Sequence, residues 1–524
     1  MKKIDTPGIV FEPEDDIPSA FRKAVKEQPE KIAVIFKDRR VSLLELGTRI
    51  NRVANTLLAQ GIKTGDRVSI LSRNSVEYIE VFFGTLTAGG CAVPLPTMAS
   101  TEALKLMIED SRSKILVVSS EMRGLVEPFI RDLDHIEAGS RIGFYFEDEG
   151  WLSYEKWIEG ASGDAPEVKI GKDDDFNIIY SSGTTGEPKG IIHTHAVRRV
   201  FTDELKAVFS IPGMVNIIST PLYSNTTMVT WLPSMRCGTT IVLMDKFDER
   251  EFLKLCERDR ATLAMLVPVQ YQRILRVEDL GHFDLSSLLV KFCTSAPLHA
   301  DVKKQILDRI PGELVEIYGL TEGGVGTVLI ASQNRDKLGS VGQPAPGCEI
   351  KVIDEEGNEL PPGETGEIVG RYTFMMKGYQ SREDATNAML WYDKEGRAFY
   401  RSGDIGRMDE ESFVYVLDRK KDVIISGGLN IYAVDLEREL LKHEAVLEAA
   451  VIGVPDDRWG ETPLALVVME KGVTETPESI REWANTRLGK SQRISKVEFR
   501  DELPKGSVGK ILKKELRRPY WEKG

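Results

Sequence analysis

The residues best suited to chemistry lie in one short stretch, Y-S-S-G-T-T-G-E-P-K-G at positions 180–190, where small and hydroxylated residues surround a lysine. Glycine lets backbone N–H groups approach an anion because no Cβ stands in the way, and serine and threonine hydroxyls add further donors. Lys189 adds a positive charge. The pattern predicts a loop that cradles the phosphate groups of a nucleotide.

Two other interpretations of this stretch can be set against the residues. Clusters of serine, threonine and glycine are commonly polar, flexible surface loops. A Walker-type P-loop needs a glycine, four further residues and then Gly-Lys-Ser/Thr, whereas here Gly183 is followed after two residues by Gly186, and Lys189 is followed by Gly190. The pattern fails again before Lys510, because a proline stands where its first glycine belongs. The sequence therefore excludes a Walker loop. Whether this stretch is a phosphate loop or a plain surface loop depends on the remaining motifs.

Four further motifs follow downstream, and with the first they resemble the adenylate-forming superfamily, which includes acyl-CoA synthetases, adenylation domains and luciferases. They are Y-G-L-T-E (318–322), Y-R-S-G-D (400–404), D-R-K-K-D-V-I-I-S-G-G-L-N-I (418–431) and L-P-K-G-S-V-G-K (503–510). The resemblance extends over nearly the whole chain. It implies an enzyme that activates a carboxylic acid with ATP, and it favours the acyl-CoA synthetase branch.

Composition sets outer bounds on the function. A chain of 524 residues exceeds the size at which single cores stop growing, so we expect at least two domains. The net charge of -13 argues against a nucleic-acid partner, because such binding depends on a basic surface. The five cysteines lack C-x-x-C spacing, which disfavours a zinc site or a disulfide framework. No apolar run is long enough to span a bilayer, so we expect a cytoplasmic protein without a transmembrane segment.

Short β-branched runs alternate with stretches of helical periodicity, which predicts an α/β architecture with parallel sheets. The predicted strands are 68–71, 114–118, 176–180, 216–220, 240–244 and 263–267, and the predicted helices are 43–60 and 302–309. Glycines and prolines between 339 and 370 predict a small antiparallel β-barrel with a turn at Glu356-Gly357. From 430 onward, helices 436–443 and 477–488 alternate with strands 448–452 and 464–468.

The predicted fold is thus a large N-terminal domain of two parallel-rich α/β sheets plus a small antiparallel β-barrel, followed by a small, mobile C-terminal α+β domain. We place the N-terminal adenylate-forming domain at 1–418 and the C-terminal domain at 419–524, with the hinge at 419–421.

The resemblance implies that a carboxylate attacks the α-phosphorus of ATP, and that charge then builds up on phosphoryl oxygens. Glu322 is the expected Mg²⁺ ligand, because Mg²⁺ takes one or two carboxylates and completes its shell with phosphates and water. Lys510 is expected to bridge the attacking carboxylate and the α-phosphate as a compact cation. Thr184, in the phosphate loop, is the third expected catalytic residue.

Motif position also implies the nucleotide contacts. They are Ser181, Ser182, Gly183, Thr184, Thr185, Gly186 and Lys189 for the phosphates, Ser295, Ala296, Pro297, Tyr318 and Gly319 around adenine, Thr321 and Glu322 near the α-phosphate, and Asp404, Val416 and Arg419 at the ribose. Asp404 suits a ribose because a carboxylate can accept hydrogen bonds from both vicinal hydroxyls.

Departures from the common family pattern concentrate where the acyl group is expected. Ser224 stands where many relatives have a histidine, and Thr294 stands where they have a glycine. Together with Ile317, these side chains shorten a deep tunnel, so we expect a small or medium, mostly apolar acid. Gly319 argues against acetate, since acetate-type enzymes carry a tryptophan there. The expected acyl pocket comprises Tyr223, Ser224, Asn225, Thr294, Ile317 and Gly319.

The second half-reaction needs a thiol where Lys510 stood, so the small domain has to rotate between two poses. Family position implies Lys421 as the hinge residue. Residues without side chains would let the pantetheine arm of coenzyme A pass close to the backbone. The expected coenzyme A contacts are Gly427, Gly428, Trp459 and Arg493.

Several functions remain open at this stage. The first is ligation of a small carboxylic acid to coenzyme A, with ATP and Mg²⁺; alternatives are loading of a carrier-protein phosphopantetheine thiol and ligation of a long-chain fatty acid to coenzyme A. A non-catalytic nucleotide-binding protein is disfavoured, because Lys510 and Glu322 are both present. His193 and His195 form no expected metal site, because a third ligand is missing. A homodimer is left open.

Overall fold

The computed structural model describes residue 11 and residues 15–181, 188–470, 472–489, 492–506 and 510–521. The chain forms a large N-terminal domain with mixed α/β sheets and a smaller C-terminal domain with a mainly antiparallel sheet, which confirms the predicted fold class. Five residues of the predicted phosphate cradle, Ser182, Gly183, Thr184, Thr185 and Gly186, lie outside the described residues.

Helices α1 to α15 are, in chain order, Ile17–Glu27, Leu43–Ala59, Val76–Thr87, Thr101–Ser111, Arg123–Val126, Tyr154–Ile158, His195–Phe209, Asn225–Cys237, Glu249–Arg258, Pro268–Leu275, Ala300–Arg309, Glu383–Ala388, Ala433–Leu440, Pro477–Asn485 and Lys513–Trp521. Strands β1 to β14 are Ile32–Phe36, Arg39–Ser42, Arg67–Leu71, Cys91–Pro94, Ile115–Ser119, Arg141–Phe144, Leu152–Ser153, Asp175–Ser181, Lys189–Thr194, Val215–Ile218, Thr240–Leu243, Leu263–Leu266, Val290–Cys293 and Glu313–Gly319. Strands β15 to β27 are Gly326–Ile330, Gln343–Pro344, Glu349–Ile353, Gly366–Arg371, Gly378–Tyr379, Leu390–Tyr392, Ala398–Met408, Val414–Arg419, Ile424–Ser426, Leu429–Ile431, Val446–Asp456, Gly460–Met469 and Lys496–Phe499.

Two large sheets form most of the N-terminal domain. One has the order β19-β9-β8-β4-β3-β5-β6-β7 and the other β16-β15-β14-β13-β12-β10-β11-β1-β2. Neighbouring strands are parallel from β8 to β7 in the first sheet and from β14 to β1 in the second. Their central strands are almost wholly apolar because parallel strands are covered on both faces.

Helices α3 and α8 help to join the two sheets through one aromatic core. Phe82 of α3 lies 4.7 Å from Trp231 of α8 and 6.0 Å from Phe176 of β8, measured between ring centroids. Helix α3 begins at Ser75, whose hydroxyl accepts the Tyr78 N–H and so satisfies a free donor of the first turn. This core fixes β8, the strand that leads into the phosphate loop.

The ends of the phosphate loop are held by an antiparallel pair. Strands β8 and β9 pair with Ser181 opposite Lys189 and Asn177 opposite His193. The register places Lys189 at the first position after the loop, with its side chain half-buried. A two-stranded closure of this kind fixes where the loop begins and ends.

The antiparallel unit predicted as a small barrel is a five-stranded sheet of order β17-β18-β21-β20, with β22 paired to β21. Gly357 occupies its predicted turn with φ of 87°, where a Cβ is disfavoured. In the C-terminal domain, β24-β23-β26-β25 are antiparallel neighbours, and β27 joins β26 in parallel.

Polar contacts join the described parts of the two domains. Asp418, at the end of β22, accepts the N–H of Ala433, the first residue of α13, at 2.7 Å. Arg276 and Glu470 form an ion pair of 3.2 Å in which both side chains are solvent-exposed. No helix among the described residues is long and apolar enough to cross a membrane.

Candidate active site

A buried carboxylate marks the centre of the candidate site. Asp404 of β21 is 3% exposed and accepts a 2.6 Å hydrogen bond from the Tyr318 hydroxyl at Oδ2. Its Oδ1 lies 2.9 Å from Nε of Arg419 on the neighbouring strand β22. Burial raises the pKa of Asp404, while Arg419 and the Tyr318 hydroxyl oppose that effect. The sequence motifs thus bring together a carboxylate, a phenol and a guanidinium.

Lys510 of the C-terminal domain reaches the same place. Desolvation, followed by the charges of Arg419 and Lys421, lowers its pKa to about 8, against the opposing charge of Asp404. The ammonium is therefore close enough to Asp404 and Arg419 to feel both charges, although Lys510 as a whole is exposed to solvent. The described part of the chain thus brings Lys510, near the carboxyl terminus, close to Asp404 and Arg419.

Glu322 lies beside the phosphate-loop lysine, and Tyr379 connects them. The Tyr379 hydroxyl donates to Glu322 Oε1 at 2.8 Å, and Lys189 Nζ lies 5.2 Å from the centre of the Tyr379 ring. The Met376 N–H donates to the backbone oxygen of Glu322 at 2.8 Å. Gly323 follows with φ of 78°, and an added Cβ would lie 1.9 Å from the Phe374 oxygen, so only glycine fits this turn.

The donor set around Glu322 fits Mg²⁺. One carboxylate oxygen accepts from Tyr379, and the other has no hydrogen bond from the described residues. These residues also contain no group of three or more His, Cys, Asp or Glu that could hold a metal by themselves. Mg²⁺ is typically bound through one or two carboxylates plus substrate phosphates rather than by an all-protein cage. When bound, it would neutralise charge on the phosphates next to Glu322.

The expected adenine edge follows β13. Ser295 adopts φ of 86°, a left-handed conformation that costs a residue with a side chain about 1–2 kcal/mol. Its hydroxyl is held by a short hydrogen bond with Thr226 of α8. Tyr318 and Val416 pack against one apolar cluster that contains Val325 and Ile368. Ala296 and Pro297 are half-buried and exposed, respectively.

Among the expected acyl residues, Ile317 packs against an apolar cluster of the second sheet. Tyr223 is buried, while Ser224, Asn225, Thr294 and Ile317 are half-buried. Below Ile317 lie fully buried side chains that fill the interior between α7, α8 and the second sheet: Phe209, Met214, Leu263, Met265 and Phe292. Gly319 pairs with Gly326, and an added Cβ would lie 2.9 Å from the Val325 oxygen.

The expected coenzyme A residues lie on the C-terminal domain. Gly427 and Gly428 have φ of 57° and 80°, and the Gly427 N–H donates to the Trp459 oxygen at 2.8 Å. Trp459 is 48% exposed, and Arg493 is exposed as well. Lys421, the expected hinge residue, is exposed, and its backbone oxygen accepts a 2.6 Å hydrogen bond from Arg517.

Sequence reasoning missed two functional candidates. Tyr379 lies outside the five motifs and meets Glu322 only because β19 pairs with β9. Arg198 is buried beside His193, and His193 Nε2 lies 2.7 Å from the Thr321 oxygen. In the sequence, the H-T-H pattern raises His193 only as a candidate metal ligand. It does not indicate that Arg198 and the Thr321 oxygen are the partners of His193.

Two family models and several curated proteins match this chain. The family model described as AMP-binding enzyme matches residues 21–380, and that described as AMP-binding enzyme C-terminal domain matches 435–510. A feruloyl-CoA synthase of Amycolatopsis is 34% identical over 95% of this chain and 98% of its own length. A long-chain-fatty-acid–CoA ligase of Mycobacterium tuberculosis is 31% identical over 92% of this chain and 94% of its own.

Among solved structures, ATP-bound MatB from Rhodopseudomonas palustris superposes with a TM-score of 0.85 at 30% identity, covering 96% of this chain and 99% of that one. The family-model matches span most of the chain, in the order in which the motifs occur. The chain therefore belongs to the adenylate-forming AMP-binding enzyme family, in its acyl-CoA ligase branch.

Proposed function

We propose that this enzyme ligates a small-to-medium carboxylic acid to coenzyme A through an acyl-adenylate, with the C-terminal domain rotating between the two half-reactions. The observation that supports the chemistry most directly is the position of Lys510, a lysine of the small domain next to Asp404 and Arg419 of the large one. The observation that supports the size limit is the filled interior below Ile317.

In the first half-reaction, an oxygen of the substrate carboxylate attacks the α-phosphorus of ATP, and the bond from that phosphorus to the pyrophosphate oxygen breaks. Lys510 would hold the attacking carboxylate against the α-phosphate and offset their combined negative charge. Asp404 would hold the ribose hydroxyls, and Glu322 would carry the Mg²⁺ that accompanies the phosphates. Lys189 would contact the β- and γ-phosphates from the loop that begins after Ser181.

In the second half-reaction, the thiolate of coenzyme A attacks the acyl carbon, and the bond from that carbon to the phosphate oxygen of AMP breaks. Lys510 has to leave before sulfur can reach the same carbon. Rotation about Lys421 would remove it and bring Gly427 and Gly428 toward the adenylate. Their positive φ values and exposed backbone suit a narrow channel for a pantetheine arm.

The size of the acid is argued from packing. A tail longer than the space above Ile317 would have to displace Met265 and Phe292, which are 0% and 3% exposed. Moving two buried side chains out of a packed interior costs several kcal/mol, because each leaves its apolar contacts. An aromatic acid of the kind named for the feruloyl-CoA synthase, or a medium-chain aliphatic acid, avoids that cost.

A long-chain fatty acid is the second candidate, favoured by the 31% identical mycobacterial relative. It requires a channel that the described side chains between α7 and α8 fill. Transfer to a carrier-protein thiol is a third possibility for the acceptor, because the first half-reaction is the same for either thiol.

A pyrophosphate-release screen tests the proposal. Purified enzyme is given ATP, Mg²⁺ and acids from acetate to palmitate, including ferulate and branched acids, with coenzyme A, with a phosphopantetheinylated carrier, or with neither. We expect the highest kcat/KM for an acid of six to ten carbons with coenzyme A. The Ile317→Ala variant is expected to move the optimum toward longer chains. Best turnover with palmitate, or an acceptor preference for the carrier, contradicts the proposal.

A further inference from the structure

Arg198 of α7 is a buried cation with neutral partners. It is 1% exposed, and within the part of the chain that the structure describes it donates three hydrogen bonds, to Asn177 Oδ1 at 2.9 Å, Asn225 Oδ1 at 2.9 Å and His193 Nδ1 at 3.2 Å. The Phe374 ring lies 5.5 Å from the guanidinium carbon. Burying a charge without a counter-charge is expensive, so the position asks for a reason beyond packing.

The bond to His193 fixes the chemical form of that imidazole. A guanidinium has donors and no acceptor, so His193 Nδ1 must accept and carries no proton. The proton of the neutral ring then resides on Nε2, which donates to the Thr321 oxygen at 2.7 Å. Burial and the charge of Arg198 both lower the pKa of His193, in keeping with a neutral ring. His193 also stacks on Phe374, with ring planes 18° apart.

The other two bonds tie Arg198 to the elements that carry substrate. Asn177 lies opposite His193 on the β8–β9 pair that holds the phosphate loop. Asn225 is the first residue of α8, next to Thr226 and its partner Ser295 at the expected acyl and adenine contacts. One side chain thus contacts the strand before the phosphate loop, the acyl-side helix and, through His193, the backbone of Thr321.

We propose that Arg198 is a positioning residue that couples binding of the acid to binding of ATP, by holding Asn225 and the Nε2–H tautomer of His193 in a single arrangement. The inference rests on the proposed function for the roles of Thr321 and Asn225. Movement of α8 on acid binding would act on the same guanidinium that orients the Thr321 carbonyl. The carbonyl in turn sets where the Thr321 hydroxyl and the Glu322 carboxylate stand relative to the phosphates.

The tautomer is tested without any substrate. Enzyme labelled with ¹⁵N-histidine is examined by NMR at neutral pH, and the His193 signals are assigned by their loss in His193→Gln. We expect one neutral Nε2–H form in the wild type and a mixture of tautomers in Arg198→Met. A mixture in the wild type, or an unchanged single form in Arg198→Met, overturns the proposal.

The coupling is tested by calorimetry with the ATP analogue AMPPNP and Mg²⁺, alone and with saturating ferulate or hexanoate. We expect the acid to tighten AMPPNP binding by about fivefold or more in the wild type, within the usual range of coupling between sites, and not at all in Arg198→Met. Arg236→Met is the matched control. Arg236 is a buried arginine of α8 whose partner is the Asp203 carboxylate at 2.6 Å, and its loss is expected to leave the coupling intact.

A second pair of variants decides the case if Arg198→Met folds poorly. His193→Gln keeps an N–H donor near the Nε2 position and is expected to retain coupling, whereas His193→Phe keeps only the stacking on Phe374 and is expected to lose it. Equal coupling in both variants overturns the proposal. A wild type that keeps the single His193 tautomer but releases pyrophosphate with no acid counts against the proposed function alone.

Discussion

The Tyr318 hydroxyl donates to Asp404 Oδ2 at 2.6 Å, while Oδ1 of the same carboxylate faces Arg419 Nε at 2.9 Å. Two charged or polar partners thus hold the carboxylate in one orientation before any nucleotide arrives. A carboxylate has about four lone-pair positions, so each oxygen can still accept from a ribose hydroxyl. Preorganisation of this kind lowers the entropic cost of binding.

Asp404→Asn is expected to weaken AMPPNP binding by about 1.5–3 kcal/mol, or roughly 10- to 100-fold in Kd. The amide keeps the shape but removes the charged acceptor and leaves Arg419 without its carboxylate. Tyr318→Phe keeps the Asp404–Arg419 pair and is expected to cost less, about 0.5–1.5 kcal/mol. Calorimetric Kd values for the two variants check this order, and an equal loss would show that the phenol matters as much as the charge.

Lys510→Ala is expected to lower acid-dependent pyrophosphate release by about 100-fold or more, because one preorganised charge at developing negative charge is typically worth that much. Thioester formation from chemically prepared acyl-adenylate and coenzyme A is expected to persist. Lys514→Ala, an exposed neighbour on α15, is the control and should retain both steps. Normal pyrophosphate release by Lys510→Ala would remove the lysine from its proposed role.

The pH dependence of the first half-reaction follows from the same lysine. Its pKa in the free enzyme is lowered to about 8, and only the charged form can bridge two anions. The charged form predominates below that pH, so kcat/KM for pyrophosphate release is expected to fall as pH rises through about 8. Arginine stays charged at all accessible pH values. In Lys510→Arg, kcat/KM is therefore expected not to fall as pH rises through about 8, however slow the variant is. A fall in kcat/KM that persists in Lys510→Arg assigns the titration to another group.

Lys421→Pro is expected to leave adenylation nearly intact and to stop thioester formation. Proline fixes φ near −65°, which removes the backbone rotation that a hinge needs. Lys421→Ala keeps that freedom and removes the charge, so both half-reactions should survive in it. Single-turnover measurements of each half-reaction separate the two variants, and equal loss of both steps in Lys421→Pro would refute the hinge assignment.

Ser295 offers a test of stored backbone strain. Its φ of 86° suits glycine, so Ser295→Gly is expected to unfold at a higher temperature than Ser295→Ala, by an amount equivalent to about 1 kcal/mol. Both variants lose the hydroxyl that meets Thr226, so the comparison isolates the backbone. Thermal unfolding followed by calorimetry checks the difference, and a more stable alanine variant would show that no strain is stored.

Local patterns predicted much of the fold. Helix α2 begins directly after its N-cap Ser42 and ends one residue before its predicted end. Its two ends could be predicted because the residues that set them are adjacent to the helix in the sequence. Helix α13 begins three residues before its predicted start, since Asp418 on another strand accepts the Ala433 N–H. Strand β10 ends at Ile218 instead of residue 220. The side-chain amide of Asn74, in the loop after β3, donates to the Thr220 oxygen at 3.0 Å and so takes the place of a strand partner.

The candidate site likewise consists of residues that local motifs predict and residues that they do not indicate. Asp404, Arg419 and Lys510 are candidates because each lies within a contiguous motif that resembles the family, and the structure brings the three close together. Tyr379 and Glu322 are 57 positions apart, and the Arg198 side chain meets Asn225 across 27. Contacts of that range arise from strand pairing and helix packing, which single-sequence patterns do not specify.

The exposed ion pair of Arg276 with Glu470 is a weak contact between the two domains. Exposed pairs of this kind are worth about 0–1 kcal/mol and are screened by salt. This pair therefore adds little to the stability of the observed arrangement, and its contribution falls further as ionic strength rises. Under the proposed function, in which the small domain rotates once per turnover, a contact that dissolved ions weaken would slow that rotation less than a buried one.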